Sequence, residues 1–401
     1  MDSIINAAAL ALATGDVLGA LNRVALRTDP PALALHGIAM ARLGDFGAAR
    51  TLLRKAGQGF GRREEKSQAR CVVAEAEIAL VSRDLGWPPE KLERAEAVLR
   101  ASGDTLNALH ARTIVIRRAL LLGKLDDAEQ GLSGLEPDRL PPPLLATYWL
   151  VKAGLAMRRL RAGEAAQNLK SAKAAAALSG LLALEGEVDA AQALLDAPAA
   201  LLRTRESSRP VDLAEIERLF ATGILVIDAT RNTVRRGAEN ISLASRPVLF
   251  ALAVALGEAW PGGVSREGLL KSAFGARHAD ESHRARLRVE MTRLRQAIAS
   301  LAQVAATEDG YRLEAAGDVA VLSFPLFEGN ASVLALLGDG ELWSSSALAL
   351  VLDLSARTVQ RALDELLQAG RIEAIGQGRS RRWAAKTVPG FPTTLLAPPV
   401  G

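Results

Sequence analysis

Apolar residues recur at helical spacing through the first half of the chain, and only short polar turns interrupt them. Four of these turns share a Gly, a charged residue, an apolar residue and a nearby Ala; they begin at Gly15, Gly44, Gly123 and Gly186. A Gly can end one helix in the left-handed conformation, and an Ala lets the next helix pack closely. The pattern therefore predicts helical hairpins stacked over residues 1–205.

This Gly-charged-apolar-Ala theme resembles the repeats of the tetratricopeptide-like α-solenoids, although its spacing along the chain is irregular. A plain bundle of Ala-rich helical hairpins would give the same pattern and remains the alternative. The resemblance implies a sensor or interaction domain over residues 1–205. We expect such a domain to receive a small-molecule or protein partner, or to mediate a homodimer.

The period of the pattern changes after Arg203–Pro210, a polar segment ending in Pro that we interpret as a linker. Short β-rich runs then occupy Gly223–Asp228, Asn232–Arg235 and Ile241–Leu243. Three helices and a β ribbon follow, predicted at Val248–Leu256, Ser265–Phe274, Arg284–Leu301 and Thr307–Leu313. The order is thus three strands, three helices and a ribbon.

That order resembles the OmpR-type winged-helix transcription regulators. The residues that carry the resemblance are Leu287, Met291, Leu294, Arg295 and Ile298 in the third helix, with Gly310-Tyr311-Arg312-Leu313 in the ribbon. It implies a winged helix-turn-helix domain over residues 215–318, whose third helix enters the major groove of DNA.

Helical geometry gives an independent view of the third helix. At about 100° per residue, Leu287, Met291, Leu294 and Ile298 share one side and should be buried. The residues expected to face DNA are Arg286, Arg288, Val289, Thr292, Arg293, Arg295 and Gln296, joined by Arg312 of the ribbon. Arg pairs with guanine, Val or Thr contacts a thymine methyl group, and flanking Arg suits phosphates.

A second, smaller block over residues 326–388 resembles the short winged-helix modules of bacterial regulators. Its recognition helix is predicted to begin at Ser355 and to bury Val359, Leu363 and Leu366. The ribbon that follows is rich in Arg. The residues expected to face DNA here are Ser355, Arg357, Thr358, Arg361, Arg379, Arg381 and Arg382. Residues 389–401 are predicted to be a Pro-rich tail.

Overall charge adds to this picture only when it is divided along the chain. The 401 residues carry a net charge of +4, which excludes a histone-like basic protein and an acidic disordered one. Arg284–Arg295 and Arg371–Lys386 each contribute +4, so the remaining residues sum to −4. The two predicted DNA-facing segments are basic regions on a mildly acidic body.

The sequence offers little to an enzyme. Gly57-Gln-Gly-Phe-Gly61 lacks the register of a dinucleotide-binding or phosphate-binding loop. The single Cys71 excludes an internal disulfide, and four scattered His predict neither a metal site nor a catalytic triad. We expect no cofactor. No apolar run reaches the roughly 18 residues that a membrane span needs, so we expect a cytoplasmic protein associated with the nucleoid.

The sequence thus predicts a mostly α chain: an N-terminal solenoid, then two winged helix-turn-helix domains of α+β type. The predicted function is bacterial transcription regulation through double-stranded DNA, without enzymatic activity. A replication initiator of the plasmid type also uses paired winged helices and is one alternative. A protein-only helical-repeat scaffold is the other.

Overall fold

The computed structural model describes residues 2–61, 63–82, 84, 87–204, 207–274, 281–323, 333, 337, 343–352, 354–368, 371–376, 378 and 381–385. Most of these residues lie in α-helices, so the prediction of a mostly α chain is confirmed. Among them, no helix is both long enough and apolar enough to cross a membrane. The predicted tail, residues 389–401, lies outside the described residues.

Eleven helices fill the described part of the N-terminal half, and each packs on its neighbour in the chain. They are α1 (Ser3–Ala13), α2 (Val17–Val24), α3 (Pro30–Arg42), α4 (Phe46–Gly59), α5 (Glu65–Val81), α6 (Pro89–Ala101), α7 (Thr105–Leu121), α8 (Leu125–Ser133), α9 (Pro142–Arg158), α10 (Ala162–Ser179) and α11 (Leu182–Asp196). Ala and Leu dominate their shared cores, because small side chains let the helices approach closely.

One turn recurs between these helices. A backbone N–H donates to the carbonyl five residues earlier at Asp16, Asp45, Asp84, Asp104, Lys124 and Arg161, with N···O distances of 2.8–3.0 Å. The residue before the donor adopts a left-handed conformation at Gly15, Gly44, Gly103 and Gly123, with φ between 72° and 85°. This is the Schellman arrangement that satisfies the last carbonyls of a helix.

The predicted turns at Gly15, Gly44 and Gly123 are therefore confirmed, but the one at Gly186 is wrong. Gly186 lies inside α11, and the preceding helix ends instead at Gly180, whose φ is 65°. A Gly within good helix formers costs only about 1 kcal/mol, so it need not end a helix. The same turn also occurs at Gly103, which the pattern did not include.

A six-stranded mixed sheet follows the helices. Its order is β2 (Ser208–Val211), β1 (Ala200–Arg203), β9 (Val319–Ser323), β3 (Leu225–Asp228), β4 (Thr233–Arg236) and β5 (Glu239–Ser242). Only β3 and β9 pair in parallel. The linker predicted over Arg203–Pro210 is wrong, because Arg203 lies in β1 and residues 208–210 lie in β2, two antiparallel strands in which Leu201 pairs with Pro210. The sheet also extends on both sides of the predicted domain, residues 215–318.

Alternate residues of this sheet enter two different cores. On β3, Leu225 and Ile227 face the core formed with the helices that follow the sheet, whereas Val226 faces the core formed with α9 and α10. On β9, Val321 and Leu322 divide in the same way. We call this six-stranded element the shared sheet, since both halves of the chain are built on it.

On the C-terminal side, the shared sheet packs against a compact helical unit. This unit follows α12 (Leu213–Ala221) in the chain. It contains α13 (Pro247–Glu258), α14 (Arg266–Phe274) and α15 (Glu281–Ala297). A second, three-stranded sheet completes it, in the order β6 (Gly263–Ser265), β8 (Gly310–Glu314) and β7 (Gln303–Ala306). The three helices and the ribbon predicted after residue 246 are thus present, with ends shifted by a few residues.

The last described block contains α16 (Ser345–Leu352), α17 (Ala356–Gln368), β10 (Ile372–Ile375) and β11 (Arg382–Ala385). The two strands pair antiparallel, and Trp383 of β11 is completely buried. Its indole Nε1 donates to Ser345 Oγ at 2.9 Å, and its backbone pairs with Trp343. A single aromatic residue therefore joins the ribbon to the helices.

Candidate nucleic-acid interface

The predicted buried side of α15 is confirmed. Leu287 is 2% exposed, and Met291, Leu294 and Ile298 are fully buried. These side chains pack in one core with α13, α14 and the shared sheet. Burial of this stripe fixes the rotation of α15 about its axis, and so determines which residues face outward.

The opposite side of α15 is accessible. Arg286, Arg288, Val289, Thr292, Arg293 and Gln296 are all exposed. Val289 is 50% exposed although it is apolar, and it lies among these arginines. An exposed aliphatic side chain within a basic face is suited to contact with a thymine methyl group.

Local contacts orient the exposed arginines without burying them. The guanidinium of Arg286 lies over the ring of Phe274 in α14, 4.7 Å from its centre. Arg293 Nη1 donates to Glu290 Oε1 at 2.9 Å. The Arg293 side chain nevertheless remains 62% exposed, so an exchange of this surface pair for a phosphate or a base costs little.

Arg295 differs from the other arginines of α15. Its Nε donates to the carbonyl oxygen of Val304 at 2.7 Å, and its guanidinium lies 5.5 Å from the ring centre of Tyr311. It therefore joins the end of α15 to β7 and β8. Of the DNA-facing residues predicted on this helix, Arg295 is the one that the structure holds within the fold.

The ribbon formed by β7 and β8, which we call the first ribbon, has an acidic tip. Glu308 and Asp309 are exposed in the turn between β7 and β8. Arg266 holds this turn, because its side chain donates to the Glu308 carbonyl at 2.7 Å and its backbone N–H donates to the Asp309 carbonyl at 3.0 Å. Arg312, predicted to face DNA, is paired with Glu314 at 2.6 Å.

The position after the tip requires glycine. A Cβ atom on Gly310 would lie 1.9 Å from the carbonyl oxygen of Val264, because β8 approaches β6 closely at this point. The Gly-Tyr-Arg-Leu sequence in the ribbon thus combines a glycine for close approach, a buried Tyr311 and an exposed Arg312.

In the last described block, α17 also has a buried and an exposed side. Val359 and Leu363 are fully buried and Leu366 nearly so, as predicted. Ser355 begins α17, and its Oγ accepts from the Thr358 backbone N–H at 3.0 Å. Ser355, Arg357 and Arg361 are exposed, whereas Thr358 is half-buried and shares a hydroxyl contact of 2.8 Å with Ser355.

The ribbon formed by β10 and β11, which we call the second ribbon, places arginines beside Trp383. The guanidinium of Arg381 lies 5.5 Å from the Trp383 ring centre and is exposed. Arg382 donates from Nη1 to the Arg381 carbonyl at 3.0 Å. Arg379, the third predicted residue of this ribbon, lies outside the described residues. The ends of the first and second ribbons thus differ in the sign of their charge.

The site residues predicted from the sequence did not include Arg266, Glu308 or Asp309. The signal for the acidic tip was present, since Thr307-Glu308-Asp309-Gly310 is the predicted turn of the ribbon. The role of Arg266 had no local signal, because its acceptors lie in a turn far along the chain.

Gly57, Gly59, Cys71 and His110 all lie within helices of the N-terminal half. Gly57 and Gly59 belong to the last turns of α4, not to a phosphate-binding loop. His110 is buried and contacts Glu77, with 3.0 Å between Nε2 and Oε2. Burial, with the nearby charge of Glu75, raises the pKa of the Cys71 thiol to about 12. Within the described ranges, no group of three or more His, Cys, Asp or Glu could hold a metal ion.

Comparisons of the chain with protein-family models, with curated proteins and with solved structures found no match.

Proposed function

We propose that the chain is a DNA-binding transcription regulator, in which a tetratricopeptide-like solenoid precedes two winged-helix modules. The observation that supports this most directly is the outward side of α15. Its exposed Arg286, Arg293 and Val289 lie on a helix whose other side is anchored in a core. A helix presented in this way fits the major groove of B-DNA.

The residues of α15 divide by the chemistry that they offer. Arg286 and Arg293 can donate two parallel hydrogen bonds to O6 and N7 of guanine. Val289 and the methyl group of Thr292 can contact a thymine methyl group. Arg288 is suited to a phosphate, which would fix the position of the helix without reading sequence. Gln296 lies one turn further along the same side.

The second module adds a smaller contact surface. Arg357 and Arg361 of α17 would face the bases of the DNA, and Arg381 of the second ribbon would face its phosphate backbone. Two modules on one chain raise each other's effective concentration at adjacent half-sites, so each one needs only modest affinity. Binding through several arginines should weaken steeply as salt increases.

The test is selection of bound duplexes from a random DNA pool by the full chain, followed by anisotropy titrations of the selected sequence. Arg293→Ala and Arg361→Ala should weaken binding to the selected sequence at least tenfold while leaving binding to random DNA less affected. Arg381→Ala should weaken both. Arg139→Ala is the matched control, because Arg139 is 79% exposed, pairs with Glu136 and belongs to the helical half.

Unchanged binding in all three variants would refute the DNA contacts. No retention of any duplex at low salt would refute DNA binding altogether and favour the protein-only scaffold. Selection of directly repeated sites of the iteron type would favour the replication initiator. A site in intergenic DNA without such repeats supports a regulator, and the nucleoid is then its expected location.

A further inference from the structure

A cleft opens between α8 and α9, where the turn to α10 closes one end. Its volume is about 190 Å³. Leu132, Leu155 and Ala156 are apolar residues of its lining, which also includes five charged side chains. The cleft is too small for a peptide or a dinucleotide, so an occupant has to be a small molecule.

Two of the three cations that line the cleft are paired with carboxylates. Arg159 donates to Glu129 at 2.8 Å and to Asp126 at 3.0 Å. Arg161 pairs with Glu164 at 3.3 Å. Lys152 is thus the lining cation that these carboxylates do not pair with.

Lys152 is half-buried, and no carboxylate of a described residue lies within ion-pair distance of its ammonium group. The Nζ atom lies 5.2 Å from the ring centre of Trp149 and 5.8 Å from that of Tyr148. Tyr148 also lines the cleft. A phenol is protonated at neutral pH, and burial raises the pKa of this one further, so its hydroxyl can donate a hydrogen bond.

We propose that this cleft binds a small organic monoanion, a carboxylate with a short apolar chain, through Lys152 and the Tyr148 hydroxyl. The ammonium group of Lys152 has no carboxylate partner among the described residues, and its single positive charge matches a single negative charge. The apolar chain would lie against Leu155 and Ala156. A doubly charged anion would leave one charge unpaired beside Glu129 and Glu164, which disfavours it.

The position of the cleft couples it to the shared sheet. Ala156 lines the cleft and also belongs to the core that α9 and α10 form with the shared sheet. Between the cleft residues Arg161 and Glu164, the Gly163 N–H donates to Glu217 of α12 at 3.1 Å. The lining of the cleft thus includes one of these contacts, Ala156, and the chain neighbour of the other, Glu164.

In the proposed function the helical domain is a sensor, and this proposal names the chemical class of its ligand. To that extent it rests on the proposed function. Its test needs no DNA. Calorimetric titration of the full chain with sodium salts of straight-chain monocarboxylates, from acetate to octanoate at constant ionic strength, should find saturable binding of at least one. The matching primary alcohols should not bind, since they lack the charge.

Lys152→Met should weaken that binding at least tenfold, and Tyr148→Phe should weaken it less. Lys173→Met is the matched control, because Lys173 is exposed on α10, pairs with Asp189 and is not a lining residue. Equal binding by the Lys152→Met and wild-type chains would overturn the site. Failure of every carboxylate to saturate the wild-type chain would also overturn it.

Hydrogen exchange with and without the bound carboxylate tests the coupling separately. Protection of the first turn of α10 and of α12 should change in the wild-type chain and stay unchanged in Lys152→Met. A change confined to α8 and α9 would refute the coupling. If the DNA selection fails while these two measurements succeed, the DNA-binding function is wrong and the cleft is still a ligand site.

Discussion

Arg295 Nε donates to the backbone carbonyl of Val304 across 2.7 Å, which joins the end of α15 to the first strand of the ribbon. Arg293, two residues earlier, is 62% exposed, and its guanidinium donates to Glu290 of the same helix. Two arginines that look equivalent in the sequence therefore have different roles.

The first prediction separates these two arginines. Arg295→Ala leaves the buried Val304 carbonyl without its donor, so the free energy of unfolding should fall by about 1–3 kcal/mol. Arg293→Ala should change it by less than about 0.5 kcal/mol, as for other exposed positions. Urea unfolding followed by circular dichroism measures both. Equal losses in the two variants would contradict the assignment of Arg295 to the fold.

The second prediction concerns the acidic tip of the first ribbon. Glu308→Gln with Asp309→Asn removes two negative charges and keeps the backbone carbonyls that accept from Arg266. If α15 lies in the major groove, the tip is near phosphates, and affinity for DNA should rise about threefold to tenfold at low salt. The gain should shrink as salt increases.

Anisotropy titrations of the selected duplex at several salt concentrations measure this effect. Glu136→Gln is the control, because Glu136 is an exposed carboxylate of the helical half that pairs with Arg139. If the double variant and the control bind DNA equally well at low salt, the tip does not approach the phosphates.

The third prediction concerns Asp104, which is 8% exposed and accepts from Arg70 at 2.6 Å and from Asn107 at 2.9 Å. Burial acts to raise the pKa of its carboxyl, but the hydrogen bonds from Arg70 and Asn107 outweigh this and lower the pKa. A lowered pKa stabilises the fold above the unfolded value of about 3.9, and this contribution is lost as the pH falls through the folded pKa.

Asp104→Asn should therefore lower the free energy of unfolding by about 1.5–3 kcal/mol at neutral pH, with a smaller difference in acid. Asp45→Asn is the control, since Asp45 occupies the same place in its turn but caps α4, a role that Asn also fills. Urea unfolding between about pH 7 and the acid limit of the fold measures both. A difference that does not depend on pH would contradict a role for the Asp104 charge.

The fourth prediction concerns Cys71, which is 1% exposed and has a thiol pKa of about 12. Because the thiolate is the reactive form, the folded chain should react with an aromatic disulfide reagent far more slowly than a free thiol does. Unfolding in urea should restore full reactivity. Rapid reaction of the folded chain would make Cys71 a candidate redox sensor.

The amphipathic helices could be predicted from the sequence because their signal is local. The spacing of Leu287, Met291 and Leu294 requires one buried side, and the core of the folded chain accepts that side. The same reasoning gave the buried side of α17 through Val359 and Leu363. In both helices the exposed arginines followed from the position of the apolar stripe.

The hairpin of β1 and β2 could not be predicted in this way. Ser208, Arg209 and Pro210 are exposed on an edge strand, where Pro is tolerated, so the segment has the composition of a linker. What makes it a strand is its pairing with β1, which β9 holds from the other side, and the pairing of Leu202 with Leu322 joins parts of the chain that are distant in sequence. The role of Arg295 was hidden for a similar reason, since its acceptor belongs to a packed strand.

The shared sheet also determines how the chain can be divided. A fragment of residues 215–318 would lose β1, β2 and β9, and with them the parallel neighbour of β3. Val226 would then be exposed to water on one side, and the open edge of β3 would be free to pair with other chains. The helical half and the unit that contains α15 thus share one sheet, and exchange of either half for a homologous one would require a matching sheet face.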